Sequence, residues 1–363
     1  MTMLQEYLKD LEPLVNLDCG THNQAGVTRA AEIMKGYFES IGFTCEIIDL
    51  GPTVGKGLLA RNKPEADHYD VMLNGHLDTV FEDGTAAARP LRVEGDRAYG
   101  PGCSDCKGGV LAAYYACKYA RKEDLDRLSI CCAFNPDEET GSKASTKWLC
   151  EHGKRAKNVL VLEAARAGGE LVRSRKGVGT YQVTFHGVAA HAGNNPYDGA
   201  NANVAAMRFA LAAYELADRE LGTTVNPGVI KGGSATVDID TRYWFDEHWV
   251  ELDKKLRELA EKTWAEGVTQ EIALKGRSPA MPLSEDTKEL VAKITEAARL
   301  EGFEAKWVDA GGGSDGNHIA EMRVPVIDGC APAGGGFHCD KEFLRLDTVE
   351  ERIRMVSRFF TLI

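Results

Sequence analysis

DVMLNGHLD, residues 70–78, is apolar through its first half and ends in His76-Leu77-Asp78. A strand buried on both faces reads as a nearly continuous apolar run, and ligands of a parallel sheet gather beyond its carboxyl end. The neighbours decide whether such a sheet exists. Upstream, AGVTRAAEIMKGYFESIGF (25–43) repeats apolar residues at helical spacing and stops at Gly42, and TCEIIDL (44–50) follows as a short strand. Downstream, GGVLAAYYACKYARK (108–122) predicts a helix, LSICCAFNPDEETGS (128–142) a strand ending in an acidic loop, and NVLVLEAAR (158–166) another strand with an acid at its end. This alternation implies an α/β fold, a mostly parallel sheet flanked by helices.

The period then changes. GTYQVTFHG (179–187) alternates as a half-buried strand, and NANVAAMRFALAAYELAD (201–218) is a long helix. TVNPGVI (224–230) and SATVDIDTRYW (234–244) are strands, DEHWVELDKKLRELAEKTW (246–264) a helix and TQEIALKG (269–276) a strand. The order βαββαβ is the ferredoxin-like arrangement. SEDTKELVAKITEAARLEGF (284–303) opens a return to βα alternation. The chain therefore divides into the first part of a larger α/β domain over 1–175, an inserted α+β domain over 176–284 and the second part of the larger domain over 285–363. A chain of 363 residues is too long for one ordinary core, which fits this division.

The net charge of -12 argues against nucleic acid and anionic lipid as partners, since both need a basic face. No apolar run is long enough to span a bilayer. The N-terminal stretch, MTMLQEYLKDLEPLVNLDCGT, lacks the basic start and apolar centre of a signal peptide, so the chain as given reads as cytoplasmic. Its ten cysteines, several in apolar runs such as SICCAF, read as reduced core residues.

Polar residues collect at the strand ends: His76 and Asp78, then Asp105, then Asp137, Glu138 and Glu139, then Glu163, with His338 near the C-terminus. Acids packed together repel unless cations are bound, and two histidines with three carboxylates suit two metals. Three ligating carboxylates leave positive charge on a pair of zinc ions, which favours a bridging hydroxide. His76 and Asp78, two apart, point the same way from an extended strand end, so one can bind metal while the other orients the imidazole. Glu138 and Glu139, adjacent in an extended loop, point in opposite directions, so one can ligate while the other faces substrate or water as a base. GCSDCKGG (102–109) poses a choice: Cys103 and Cys106 have the spacing of a redox pair or of half a zinc site, whereas Asp105 between them has the character of a ligand. A lone histidine is most often a satisfied core residue, and an acidic pair a solvated loop; their recurrence at successive strand ends reverses both defaults.

GHLDTV (75–80), RVEGDRAYGPGCSDCKGG (92–109), PDEETGS (136–142), LEAAR (162–166), HAGNNPYDGANA (191–202), GGGSDGNHI (311–319) and GGGFHCDKEF (334–343) occur in this order over nearly the whole chain. The set resembles the dinuclear zinc exopeptidases that include glutamate carboxypeptidase, aminoacylase, acetylornithine deacetylase and succinyl-diaminopimelate desuccinylase, above all the folate-cleaving bacterial glutamate carboxypeptidases. The resemblance implies two zinc ions per subunit, with cobalt or manganese as alternatives. It implies Asp105 as the carboxylate bridging both, His76 and Glu163 completing one zinc, and Glu139 and His338 the other. Glu138 would be the general base and Asp78 would orient His76. His191 resembles the histidine that stabilises the tetrahedral oxyanion and, in dimeric relatives, reaches the partner's site. Arg277 resembles the arginine that clamps the substrate carboxylate, and Gly312 and Gly313 lie in a segment that meets the substrate backbone. The inserted domain would serve as lid and dimerisation domain. One departure stands out: the family's loop with an NxxP core, expected after GVIKGG, is missing beyond Gly233.

The expected activity is hydrolysis of the amide bond of a C-terminal or N-acylated amino acid, glutamate first, in a small-molecule substrate. Its rivals are an N-acyl amino acid deacylase, a non-catalytic binding protein that kept the fold, and a thiol–disulfide oxidoreductase using Cys103 and Cys106. Asp309 and Asp315 read as loop and cap groups, and His186 and His318 as structural or surface residues.

Overall fold

The computed structural model describes residues 1–363 except Gly233. The chain forms two units. The larger comprises Met1–Ser174, Leu283–Asp309 and Ser314–Ile363, the smaller Arg175–Pro282 and Ala310–Gly313. The segment 310–313 thus groups with the smaller unit, although the sequence reading kept 285–363 whole; the backbone N–H of Lys176 binds the carbonyl of Ala310 at 2.9 Å.

The larger unit is built on a six-stranded sheet in the order Thr44–Ile48, Gly57–Arg61, Ile130–Asn135, Val71–His76, Val159–Val161, Val326–Ile327. The last four run parallel and the first two join antiparallel, so the sheet is mostly parallel with an antiparallel edge. Val71–His76 lies in the middle and is buried at every position, which is why it reads as an apolar run. The helix Lys107–Lys118 is buried through its first eleven residues. At its start a side chain on Gly109 would stand 1.8 Å from the carbonyl oxygen of Leu162, so only glycine lets this helix approach the strand end before Glu163.

A second sheet has five short strands in the order Arg92–Glu94, Arg97–Tyr99, Phe343–Arg345, Ala331–Gly335, Ala164–Ala165. Glu163 immediately precedes one of these strands, and His338 sits in the connection between two others.

In the smaller unit, four antiparallel strands are ordered Thr224–Lys231, Ala235–Tyr243, Gly177–His186, Thr269–Ser278, the ferredoxin-like order. Buried and partly exposed residues alternate along Gly177–His186 and Ala235–Tyr243. The buried set, including Tyr181, Phe185, Val237 and Ile239, packs with Phe209, Leu252 and Leu256 of the helices Ala202–Tyr214 and Asp246–Ala260 into a separate core. Each such side chain contributes about 1.5–3 kcal/mol by leaving water. The expected loop absence falls at Gly233, which lies outside the described residues; on its two sides Lys231 pairs with Thr236. Among the described residues no helix is long and apolar enough to cross a membrane.

Candidate metal centre

The strand Val71–His76 delivers His76, fully buried, to the carboxyl end of the sheet. Asp78 meets one nitrogen of that imidazole with both its backbone and its side chain. The Nδ1 of His76 lies 3.0 Å from the Asp78 carbonyl oxygen and 3.3 Å from its Oδ1, leaving Nε2 to face the site. Asp78 also accepts a hydrogen bond from the Thr21 hydroxyl at 2.6 Å and the backbone N–H groups of Glu138 and Glu139 at 3.1 and 3.3 Å. That last pair corrects an expectation. Residues Glu138–Thr140 form a 3-10 turn, not an extended loop, because one carboxylate gathers two successive N–H groups. The two glutamate side chains therefore diverge by about 120° rather than 180°.

Asp105 stands between two imidazoles. Its Oδ1 is 3.1 Å from Nε2 of His76, and its Oδ2 is 3.2 Å from Nε2 of His338. Each imidazole nitrogen faces a second acid: His76 meets Glu163 at 3.4 Å, and His338 meets Glu139 at 3.2 Å. Donors on one tetrahedral zinc, at about 2.0–2.2 Å from the ion, stand about 3.3–3.6 Å apart, and these separations, from 3.1 to 3.4 Å, lie at or just short of that edge. One acid of each half and the shared Asp105 give three carboxylates and two imidazoles, a donor set that suits two divalent ions. The two halves are close: a nitrogen of His76 and carboxylate oxygens of Asp105 and Glu139 all lie within 4.8 Å of one another. His338 holds φ at 60°, a left-handed conformation uncommon for a non-glycine residue.

Electrostatics agree. Burial opposes charge on His76, yet Cys106, Glu163, Asp105 and Asp78 together push its pKa well above the ordinary value. Asp105 and Glu139 raise His338 to about 10. Burial and the neighbouring Asp105 raise Glu163 to about 7. A site that draws in protons this strongly is one whose acids call for cations. Burial likewise raises Glu138 well above the carboxylate range.

Two residues missed in the sequence shape this centre. Glu342, almost fully buried, accepts the backbone N–H groups of Gly102, Ser104 and Asp105, each at 2.9 Å. Its only sequence signal is its place five residues after Phe337 in the His338 motif. Asp315, read as a loop or cap group, is buried and accepts the Ser142 hydroxyl; Ser314 is the helix cap. Asp315 thereby ties the helix Asp315–Ala320 to the loop after Glu139.

The thiols of Cys103 and Cys106 point to different carbonyls, those of Ala98 at 3.6 Å and Leu162 at 2.9 Å, and both are buried as free cysteines.

The remaining candidates belong to the smaller unit. His191 is exposed, and its Nδ1 accepts the backbone N–H groups of Gly193 and Asn194 at 3.1 and 3.0 Å. That fixes the neutral tautomer with its proton on Nε2, a hydrogen-bond donor. Arg277 forms an ion pair with Asp246 at 3.0 Å and lies over the Trp249 ring at 4.3 Å. The carbonyls of Gly312 and Gly313 accept the guanidinium of buried Arg175 at 3.1 and 3.3 Å.

Comparison with known proteins shows what the chain is similar to. The profile described as peptidase family M20/M25/M40 matches residues 72–361. Carboxypeptidase G2 of Pseudomonas sp. (strain RS-16) is 33% identical over 368 residues, covering 97% of this chain and 88% of that one. A succinyl-diaminopimelate desuccinylase of Delftia acidovorans is 25% identical over 370 residues, covering 93% of each. Among solved structures, aminopeptidase PepT of Bacillus cereus superposes with a TM-score of 0.81 at 20% identity over 98% of both chains.

Proposed function

The chain belongs to the M20/M25/M40 peptidase family and is a metallopeptidase or amidohydrolase, and from that premise we propose that it removes a C-terminal amino acid, glutamate first, from an acyl or aroyl amide. The observation that carries the hydrolytic reading is the Asp105 carboxylate set between His76 and His338, with Glu138 on the turn that Asp78 pins. Similarity to a carboxypeptidase over 97% of the chain supports the choice of bond.

Two zinc ions, with cobalt or manganese as substitutes, would be held by His76, Asp105, Glu163, Glu139 and His338, and would polarise the amide carbonyl and acidify a water. Glu138 takes the proton of the attacking water and returns it to the leaving nitrogen. Asp78 keeps His76 in the tautomer whose Nε2 lone pair faces the centre. His191 offers its Nε2–H to the developing oxyanion. In this reading Arg277 supports the small-domain fold through Asp246 and Trp249, or exchanges that pair for the substrate carboxylate. The segment around Gly312 and Gly313 meets the substrate backbone. The smaller unit serves as the contact of a homodimer, supported by the apolar face that Met207, Leu211 and Tyr214 expose on the helix Ala202–Tyr214.

The test is release of free amino acids by zinc-loaded protein from a matched panel: folyl- and benzoyl-glutamate, dipeptides and N-acetyl amino acids, with Glu138→Gln as control. Glutamate released from the aroyl substrates, and not by the control, supports the carboxypeptidase reading. Release mainly from acetylated substrates moves the assignment to the deacylases. No release from any substrate overturns it in favour of a binding role.

A further inference from the structure

Cys106 sits where the mechanism above gives it nothing to do. Its side chain is fully buried, and its sulfur, a His76 nitrogen and a Glu163 oxygen all lie within 4.8 Å of one another. The sulfur also lies 2.9 Å from the carbonyl of Leu162, the residue directly before Glu163, and a side chain on Gly75, directly before His76, would meet it at 3.4 Å. The thiol is therefore wedged between the two strand ends that carry one half of the metal centre. Cys103, three residues earlier, has no such place: its thiol turns to the carbonyl of Ala98.

We propose that Cys106 is a sulfur ligand of the metal ion held by His76 and Glu163, giving that position a preference for thiophilic divalent ions. The three donor atoms already lie within 4.8 Å of one another, a span in which a single ion can bind them all. On ligation the S–H bond breaks, the sulfur–metal bond forms, and the proton passes to solvent; the Leu162 carbonyl loses its donor. All other donors here are nitrogen or oxygen, so one thiolate shifts selectivity toward zinc, cobalt and cadmium and away from manganese and magnesium. The two halves of the centre thereby differ in kind, since among the described residues no thiol groups with Asp105 and Glu139.

This inference rests on the dinuclear metal reading, and the experiment separates the two. The protein is stripped, loaded with cobalt(II), and its metal content and near-ultraviolet spectrum are recorded. The expected result is two cobalt ions per chain with a sulfur-to-cobalt charge-transfer band. Cys106→Ser removes that band, while Cys103→Ser and Cys339→Ser keep it; Cys339 is the control because it is the exposed thiol next to His338. In Cys106→Ser, cadmium affinity falls by about tenfold or more while manganese affinity barely moves. Two bound cobalt ions without the band in the wild-type protein overturn the ligand role alone, as does a band lost in Cys339→Ser but kept in Cys106→Ser. Failure to take up two cobalt ions overturns both readings. Should Cys106→Ser not fold, the wild-type band and its survival in the other two variants decide.

Discussion

Glu342 reaches Asp105 across 237 positions of sequence, its Oε1 accepting the Asp105 backbone N–H at 2.9 Å. The same oxygen takes the N–H of Ser104, and Oε2 takes that of Gly102, so one carboxylate closes the loop that aims Asp105 at both imidazoles. Glu342→Gln keeps one acceptor oxygen and turns the other end into a donor facing an N–H group. Zinc affinity falls by about 10–100-fold, as for other partners that orient ligands. Folding loses about 1–3 kcal/mol from the unsatisfied buried donor. A zinc competition titration and a thermal melt check both numbers. Unchanged zinc affinity would mean that the loop keeps its shape without Glu342.

Glu138 and Glu139 are adjacent but have different work. Glu139 faces His338 at 3.2 Å, whereas among the described residues the Glu138 carboxylate has no ion-pair partner. Glu138→Gln therefore leaves metal content at the wild-type level and lowers kcat by about 100- to 10,000-fold, the range for loss of a general base. Metal analysis beside single-substrate kinetics measures both. A variant that loses metal as well as rate would place Glu138 among the ligands.

Removal of metal leaves the acids at the strand ends facing one another. The chelated protein melts at a lower temperature, and zinc at 100 times its dissociation constant restores about 2.7 kcal/mol. Calorimetry with and without chelator reads this directly. A melting temperature indifferent to zinc would deny that the cluster binds it in the native state.

The fold was legible where strands are long enough to show their surroundings. Val71–His76 reads as unbroken apolar sequence because both faces are covered, and Gly177–His186 alternates because one face is open. The second sheet was not legible. Arg92–Glu94, Arg97–Tyr99, Ala164–Ala165 and Phe343–Arg345 are two or three residues long, too short for any period to register. Yet that sheet positions Glu163 and His338; Glu163 was found from the end of the strand before it, and His338 through the motif around it. Glu342 escaped because its partners are backbone N–H groups, which leave no side-chain pattern. The turn at Glu138 escaped because its shape depends on Asp78, sixty residues away.

His152 makes stability depend on pH. Burial, followed by the charges of Arg155 and Arg61, lowers its pKa to about 4, and its ring shares a 3.0 Å hydrogen bond with the Tyr69 hydroxyl. Unfolded, the imidazole titrates near 6.5. Below that pH the unfolded chain binds a proton that the native chain refuses. Stability therefore falls as pH drops from about 6.5 and this contribution levels off near 4. The loss reaches up to about 2 kcal/mol once partial exposure is allowed for. His152→Phe keeps a ring against Tyr69 and Trp148 but has no proton to gain. The stability difference between the two proteins, from urea melts between pH 7 and pH 4, moves in favour of the variant as pH falls. A difference constant with pH would assign the acid sensitivity to other groups.

The helix Ala202–Tyr214 carries Met207, Leu211 and Tyr214 at spacings of four and three, so they share one face, and they are 49%, 69% and 61% exposed. Beside that helix runs Thr224–Lys231, an edge strand of the four-stranded sheet that exposes Val229 and Ile230. An apolar helix face next to an unpaired strand edge is what a second copy of the chain can cover with both side chains and backbone hydrogen bonds. Leu211→Glu sets two like charges against each other across such a twofold contact. Light scattering is expected to show twice the chain mass for the wild-type protein and one chain mass for the variant, with circular dichroism unchanged. A wild-type monomer at micromolar concentration would leave this face without the partner proposed for it.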